Sequence, residues 1–287
     1  MDIILKIHRQ QPNQAPQLQR YTLTVQPTTT ILDCLNQVKW EQDGSLAFRK
    51  NCRNAICGSC AMGVNGRSVL ACKENIRSEL ERLQNSKMLV TEDGLPVLSI
   101  TPMGNMPVIK DLVVEMQGFW RGLLEVDPIV RSNPIVPPDR ELLQTPAQRA
   151  QLNPMDQCVL CGACYSQCEA KRIDPQFVGP HALARAYRLV LDSRDDRTPD
   201  RLDQYNQISK GVWGCTNAHY CNAACPVGVN PHDQIEFLRQ AVLQHQNQNS
   251  VRNTSLRVDD LFAADPPTDP TPEPTSRPPS IFLDDLF

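Results

Sequence analysis

The 287 residues predict an α+β protein in three parts: a small, mostly β domain (1–105), a helical domain (106–245), and a disordered Pro- and Asp-rich tail (246–287). Three observations carry this expectation. Apolar and polar residues alternate in the N-terminal runs IILKIHR and RYTLTV, the mark of half-buried strands. From Leu112 onward the apolar residues recur at helical spacing instead. Beyond about Gln246 the chain holds seven of its 24 prolines, with seven acidic residues against three basic ones. Such a segment buries too little apolar area to offset its ordering entropy.

The elements follow in order. A polar loop with two prolines joins the first two strands. A helix is expected over Thr30 to Lys39, with Ile31, Leu35 and Val38 on one face. Asn65-Gly66, between the strand-like runs AMGV and RSVLA, predicts a tight hairpin turn. Two strands, a helix and a hairpin in this order make a grasp-like α+β domain. The stretch GLPVLSITPMGNMP then leads into the helical part. There Leu112, Met116, Phe119 and Leu123 mark one helix, and Leu183, Tyr187, Val190 and Leu191 another. Thr145-Pro146-Ala147-Gln148 has the form of a capping box with Pro at the first helical position. Asn230 is expected to cap a last helix, with Pro231 behind it and Ile235, Leu238 and Val242 facing inward. In the tail, Asp259-Asp260-Leu261-Phe262 returns as Asp284-Asp285-Leu286-Phe287: either a linear motif presented twice or a coincidence of biased composition.

Composition excludes some functions. A net charge of −3 argues against a nucleic-acid binder that lives on phosphate neutralisation. No stretch approaches the ~18 apolar residues of a membrane span, and MDIILKIHRQ fits neither a signal nor a transit peptide. The expectation is a chain kept in the cytoplasm or held peripherally on the cytoplasmic face of a membrane. Twelve cysteines in that setting point to metal rather than disulfides.

Their spacing is specific. Cys52-x4-Cys57-x2-Cys60 with Cys72 further on is the plant-type arrangement for a [2Fe–2S] cluster. Reduction adds a negative charge, so backbone N–H groups must converge on the sulfurs, and Ala55, Gly58, Ser59 and Ala61 are small enough to let the chain wrap. Structural zinc is the alternative, but four-cysteine zinc sites usually join two separated short-spaced pairs. Cys158-x2-Cys161-x2-Cys164-x3-Cys168 is the bacterial ferredoxin run, whose fourth cysteine serves the other cluster. Cys215-x2-Ala218-x2-Cys221-x3-Cys225-Pro226 repeats it with Ala218 in place of the second ligand. Cross-ligation then assigns Cys158, Cys161, Cys164 and Cys225 to a [4Fe–4S] cluster. Cys168, Cys215 and Cys221 are left for a [3Fe–4S] cluster, or for a four-iron cluster completed by water or His219. Cys34 remains, as a small buried residue. No catalytic Ser–His arrangement, phosphate loop or dinucleotide fingerprint is present. The reading is of an electron carrier for chemistry done elsewhere.

The sequence resembles the iron–sulfur subunit of succinate dehydrogenase and fumarate reductase, the complex II family, up to about residue 245. The resemblance rests on CRNAICGSCAMGVNGRSVLAC, CVLCGACYSQC, FVGPHALARAYRLVLDSRDDR and CTNAHYCNAACPVGVNP. It implies a ferredoxin-like first domain, an α-helical ferredoxin second domain, and two partners: an FAD-containing flavoprotein and a membrane anchor with its quinone. It also implies the order [2Fe–2S] near the flavin, [4Fe–4S] in the middle and [3Fe–4S] near the quinone. Direction, as succinate oxidation or as fumarate reduction, is left open by ligand spacing. A rival reading, as an iron–sulfur subunit of another flavin oxidoreductase, would be expected to keep both ferredoxin runs complete and lack the plant-type loop, and this chain does the opposite on both counts. The chain departs from the family on the quinone side. It lacks the tryptophan pair that often follows the cysteine matching Cys168, and it has Thr216 where histidine is common. Lys171, Arg172, Thr216 and His219 would have to rebuild a polar quinone-side pocket; the alternative for Lys171 and Arg172 is a solvated basic face.

Overall fold

The computed structural model describes residues 1–261 apart from 13, 133–140 and 207–209, with side chains to residue 250. Residues 1–245 form one compact unit, and the chain from 246 onward is a second.

Strands β1 (Asp2–Arg9) and β2 (Gln17–Thr24) form an antiparallel hairpin, Asp2 opposite Thr24 and Arg9 opposite Gln17. Helix α1 (Ile31–Gln37) starts at Thr30, whose hydroxyl accepts from the Asp33 N–H while the Asp33 carboxylate reaches back, a reciprocal cap. A π-helical turn, Val38–Gln42, continues it past the expected end at Lys39. Strands β3 (Ala61–Val64) and β4 (Arg67–Leu70) flank Asn65 (φ 46°) and Gly66 (φ 82°), the two left-handed residues a tight hairpin turn needs. After α2 (Ile76–Asn85) come β5 (Val90–Glu92) and β6 (Leu95–Thr101). The sheet runs β2-β1-β6-β3-β4, with β5 also paired to β6. β1 and β6 are its parallel pair, Ile4 opposite Val97 and Ile7 opposite Ile100. Ile31, Leu32, Cys34 and Leu35 of α1 are buried in the same core as Ile3, Leu5 and Ile7. This is the predicted grasp-like arrangement.

The helical part begins later than its apolar spacing suggests. Leu112 lies between β7 (Val108–Lys110) and β8 (Val113–Val114), next to Asp111 at φ 49°, and α3 spans Gln117–Glu125. Then follow α4 (Pro146–Ala150), with the capping box at Thr145 and Gln148, α5 (Ala163–Ser166) and α6 (Glu169–Ile173). α7 (Pro180–Val190), α8 (Thr198–Tyr205), α9 (Tyr220–Ala224) and α10 (Pro231–Leu261) complete the order. Leu183, Ala186, Leu202, Ile235, Leu238 and Val242 form a second core.

Two sequence expectations are corrected. The last helix continues through Leu261 rather than ending near residue 245; residues 262–287, with the second copy of the repeated tetrapeptide, lie outside the described part. Asn230 holds the N-cap position, its carbonyl accepting the Asp233 and Gln234 N–H groups at 3.1 and 3.4 Å, but the side-chain acceptor is Asn222 of α9, whose Oδ1 accepts the His232 N–H at 2.7 Å. The capping acceptor arrives from a neighbouring helix, which local sequence does not reveal.

The two halves interlock inside the first unit. Ser68 Oγ on β4 donates to Ser166 Oγ at 2.9 Å, and the Gly104 N–H donates to the same hydroxyl at 2.8 Å. The Asn105 amide donates to the carbonyls of Tyr165 and Cys168, both at 2.8 Å. Phe119 and Tyr165 are buried in the first core, so the sheet domain and the cysteine-bearing helices share apolar contacts.

Candidate metal centres

All twelve cysteines are unpaired thiols. In the first group the chain passes through left-handed conformations at Arg53 (φ 62°), Ala55 (φ 64°) and Gly58 (φ 70°). Such turns aim successive amides inward and make an anion-binding concavity. The Asn54 and Cys57 N–H groups donate to Cys52 Sγ at 3.5 and 3.3 Å, and the Ala55 N–H donates to Cys72 Sγ at 3.3 Å. The Cys52 N–H donates to Cys57 Sγ at 3.5 Å, and the Ser59 hydroxyl stands 3.1 Å from the same sulfur. That hydroxyl, then the amides of Cys52 and Ser59, pull the Cys57 thiol down to about 6. Cys60, buried at the start of the hairpin and next to Cys72, is pushed up to about 12, first by desolvation. The hairpin itself brings Cys72 to the loop, as its Asn-Gly turn predicts.

Of the cysteines in the second and third groups, five lie on connections and helix caps, as expected, and two lie within short helices. Cys164 lies within α5, Cys168 is the N-cap of α6, Cys221 lies within α9 and Cys225 closes it. Cys168 Sγ accepts from the Lys171 N–H at 3.4 Å and Cys225 Sγ from the Val229 N–H at 3.3 Å. One internal cavity is lined by Cys158, Cys161, Cys164 and Cys225 together. Desolvation first, then the charge of the neighbouring sulfurs, raises the thiols of Cys158, Cys161 and Cys164. Cys221 is held up at about 12 by burial and then by Cys168 and Cys215, which makes these three near neighbours. Burying so many ionisable thiols around shared spaces is costly unless a cationic core offsets it.

The donor sets fit inorganic clusters better than single ions. A tetrahedral zinc with Zn–S of ~2.3 Å holds its sulfurs ~3.8 Å apart. Among the described residues, no three cysteine sulfurs lie within 4.8 Å of one another. Thiolates that ring a multi-iron core stand farther apart, as these do.

The first and second groups touch. A Cβ on Gly58 would lie 2.8 Å from Cys161 Cβ and 3.0 Å from the Val159 carbonyl, so only glycine lets the two loops meet. The second group adjoins the third, because Cys164 feels the charge of Cys221. Sequence reasoning counted Ser59 only as a small residue and gave no role to Gly58 beyond wrapping. Nor did it single out His181, which lines the second cavity, stacks on Phe119 at 3.9 Å and donates Nε2–H to the Phe119 carbonyl at 2.9 Å. Burial pushes this ring down to about 4, so it is neutral. A lone histidine within an apolar run carried no signal for this.

The quinone-side residues make their own contacts. Lys171 Nζ donates to the carbonyls of Pro175 and Phe177 at 2.6 and 2.7 Å and lies 5.4 Å from the Tyr165 ring centre. Arg172 and Thr216 are exposed, Arg172 beside Glu169 at 3.5 Å. His219 is exposed and stacks on His232, with 3.5 Å between ring centres. Among the described residues, no hydrogen bond or ring contact joins Lys171 or Arg172 to Thr216 or His219.

A ferredoxin-type sulfur cradle on a grasp-like sheet, followed by paired cysteine runs on helices, defines an iron–sulfur protein. The chain matches the 2Fe-2S iron-sulfur cluster binding domain over residues 4–121 and the 4Fe-4S dicluster domain over 154–229. It is 36% identical over 236 residues to the succinate dehydrogenase [ubiquinone] iron-sulfur subunit 1, mitochondrial, of Oryza sativa, covering 81% of this chain and 78% of that protein. It is 36% identical over 247 residues to the fumarate reductase iron-sulfur subunit of Mycobacterium tuberculosis, covering 85% of this chain and 94% of that one. The fold is shared with a chain of the Mycobacterium smegmatis Sdh1 complex, at a TM-score of 0.72 and 23% identity, over 86% of this chain and 97% of that chain. The chain belongs to the family of succinate dehydrogenase and fumarate reductase iron–sulfur subunits. It is an electron-transfer subunit of that oxidoreductase class, with the family's [2Fe–2S], [4Fe–4S] and [3Fe–4S] cofactors. No described helix is long and apolar enough to cross a membrane.

Proposed function

We propose that Cys52, Cys57, Cys60 and Cys72 hold the [2Fe–2S] cluster, and Cys158, Cys161, Cys164 and Cys225 the [4Fe–4S] cluster. Cys168, Cys215 and Cys221 hold the [3Fe–4S] cluster. Together they serve a succinate:quinone oxidoreductase on the cytoplasmic face of a membrane. The observation that carries this reading is the contact sequence: the first sulfur set meets the second at Gly58 and Cys161, and the second adjoins the third at Cys164 and Cys221. Bound clusters supply one-electron carriers. The protein holds them at fixed spacing, directs amides at the first set and partly desolvates the second.

Partners follow from the two ends. Ile56, 67% exposed between Cys52 and Cys57, presents an apolar contact at the first set, suited to a flavoprotein that carries FAD. Ile173 and Tyr220, exposed beside Cys168 and Cys221, suit a membrane anchor at the third. A quinone pocket there draws on Lys171, Arg172, Thr216 and His219, with Lys171 tied to its own loop. Fumarate reduction uses the same architecture in the opposite direction.

Iron and sulfide analysis of anaerobically purified protein tests the assignment, with about nine irons per chain expected from the three cluster types. Zinc without sulfide overturns it. Co-purification identifies the flavoprotein and anchor. Redox titration of the clusters, with the native quinone identified, sets the direction.

A further inference from the structure

His232 is 4% exposed, and neither of its ring nitrogens has a hydrogen-bond partner. A neutral imidazole carries one donor and one acceptor, and each left unmade in the interior costs about 1–3 kcal/mol. The ring is not alone. His219 lies over it at 3.5 Å between centres, and Asp233 Oδ1 stands 3.8 Å from its Nδ1. That separation is too long for a hydrogen bond, and it is within a few tenths of an ångström of the ~3.3–3.6 Å that a tetrahedral ion with ligand bonds of ~2.0–2.2 Å sets between its donors. One ligand atom from each of His219, His232 and Asp233 lies within 4.8 Å of the other two. The other carboxylate near the ring, Glu236 at 3.9 Å from Nε2, is engaged by Arg239.

We infer that His219, His232 and Asp233 form a site for one divalent transition-metal ion of borderline softness, Zn²⁺ in the first instance, separate from the three thiolate sets. Two imidazoles and a carboxylate are a donor set suited to zinc, with the exposed His219 side left for water as a fourth ligand. Burial, then the proximity of His219, lowers the His232 pKa, so its lone pair is available at neutral pH. An outer support is already built. Asn222 donates Nδ2–H to Asp233 Oδ1 at 2.8 Å and accepts the His232 N–H at 2.7 Å, which orients both residues as outer partners do at metal sites. His219 and Asn222 flank Cys221, so the ion braces the loop that carries the third sulfur set.

The full chain, purified with its clusters, is incubated with Zn²⁺ at one equivalent and desalted. One zinc per chain is expected to remain with iron and sulfide unchanged. X-ray absorption at the zinc edge should show only nitrogen and oxygen neighbours at ~2.0–2.1 Å. His232→Gln should weaken zinc binding by 100-fold or more, on the order of losing a ligand. His219→Asn, at an exposed position whose φ of 58° suits asparagine, guards against misfolding and should weaken it about 10–100-fold. Failure of the wild type to retain zinc overturns the site, as does sulfur scattering at ~2.3 Å. Undiminished binding in both variants overturns it as well.

Discussion

The first sulfur set and the two helical sets solve the same problem in opposite ways. Around Cys52 and Cys57 the backbone turns left-handed at Arg53, Ala55 and Gly58, and amides and a hydroxyl reach the sulfurs directly. Cys57 is thereby pulled down to about 6. Around Cys158, Cys161, Cys164 and Cys221, desolvation dominates and pushes every thiol up. An amide cradle stabilises added negative charge, whereas a dry cavity opposes it. One chain thus offers two electrostatic environments to cofactors of the same chemistry. The difference lies in what first reaches the sulfur: a hydroxyl and amides at Cys57, desolvation at Cys158, Cys161, Cys164 and Cys221, a condition that Cys60 of the first set shares.

The sharpest break in this comparison is Cys60→Ser, which removes a ligand from the cradle while leaving the helical sets intact. Electron paramagnetic resonance should lose the two-iron signal and keep the three-iron one, with iron falling by about two per chain. Next comes Asp192, which anchors the helical half: it accepts from Arg188 at 2.6 Å and from Arg194 at 2.7 Å, fully buried. Asp192→Ala removes the acceptor shared by Arg188, which keeps Asp156, and by the partly exposed Arg194, and should cost about 1–3 kcal/mol in denaturant unfolding.

Acid probes the same anchor more gently. Burial alone would raise the Asp192 pKa, but the Arg194 hydrogen bonds and the charges of Arg194 and Arg188 outweigh it and hold the carboxyl at about 2. The folded pKa is below the unfolded value of ~3.9, so its contribution is complete above pH ~4 and fades as pH falls toward 2. A shift of this size corresponds to about 2 kcal/mol, and Asp192→Asn should flatten that part of the acid stability profile.

Gly58→Ala sets a methyl against Cys161 and forces alanine to φ 70°. A loss of about 1–2 kcal/mol is expected from the backbone alone, with weaker magnetic interaction between the first and second centres. Ser59→Ala is the smallest change. Losing one hydrogen bond of ~1 kcal/mol to Cys57 Sγ should lower the [2Fe–2S] potential by about 40 mV, with the helical centres unmoved.

Much of this was legible in the sequence because it is local. The Asn65-Gly66 turn demands two left-handed residues in succession, and Thr30 and Thr145 carry their capping partners three residues away. Cys34, buried at α1 and pushed up to about 12 by desolvation, is the small core residue expected of a cysteine outside the groups. What escaped involves partners distant in sequence. Leu112 kept helical spacing with Met116 and Phe119 but sits in a hairpin, because Asp111 accepts from the Ala47 and Gln10 amides and fixes a turn there. Arg9 is buried at the end of β1 because Asp43 and Asp111 both reach it. The side-chain acceptor at the start of the last helix came from Asn222, and His219 proved to stack on His232.

The amino-acid order by itself determined the number of cysteines, their intervals and the family to which they belong. Those intervals are short enough for one turn or loop to satisfy, so no distant contact is needed to read them. The tertiary structure alone decided which thiols desolvation holds up and which hydrogen bonds pull down, where two loops touch through a missing side chain, and which histidines face each other. These properties arise when segments separated in sequence pack together and displace water between them, and the strength of every charge there depends on that displacement.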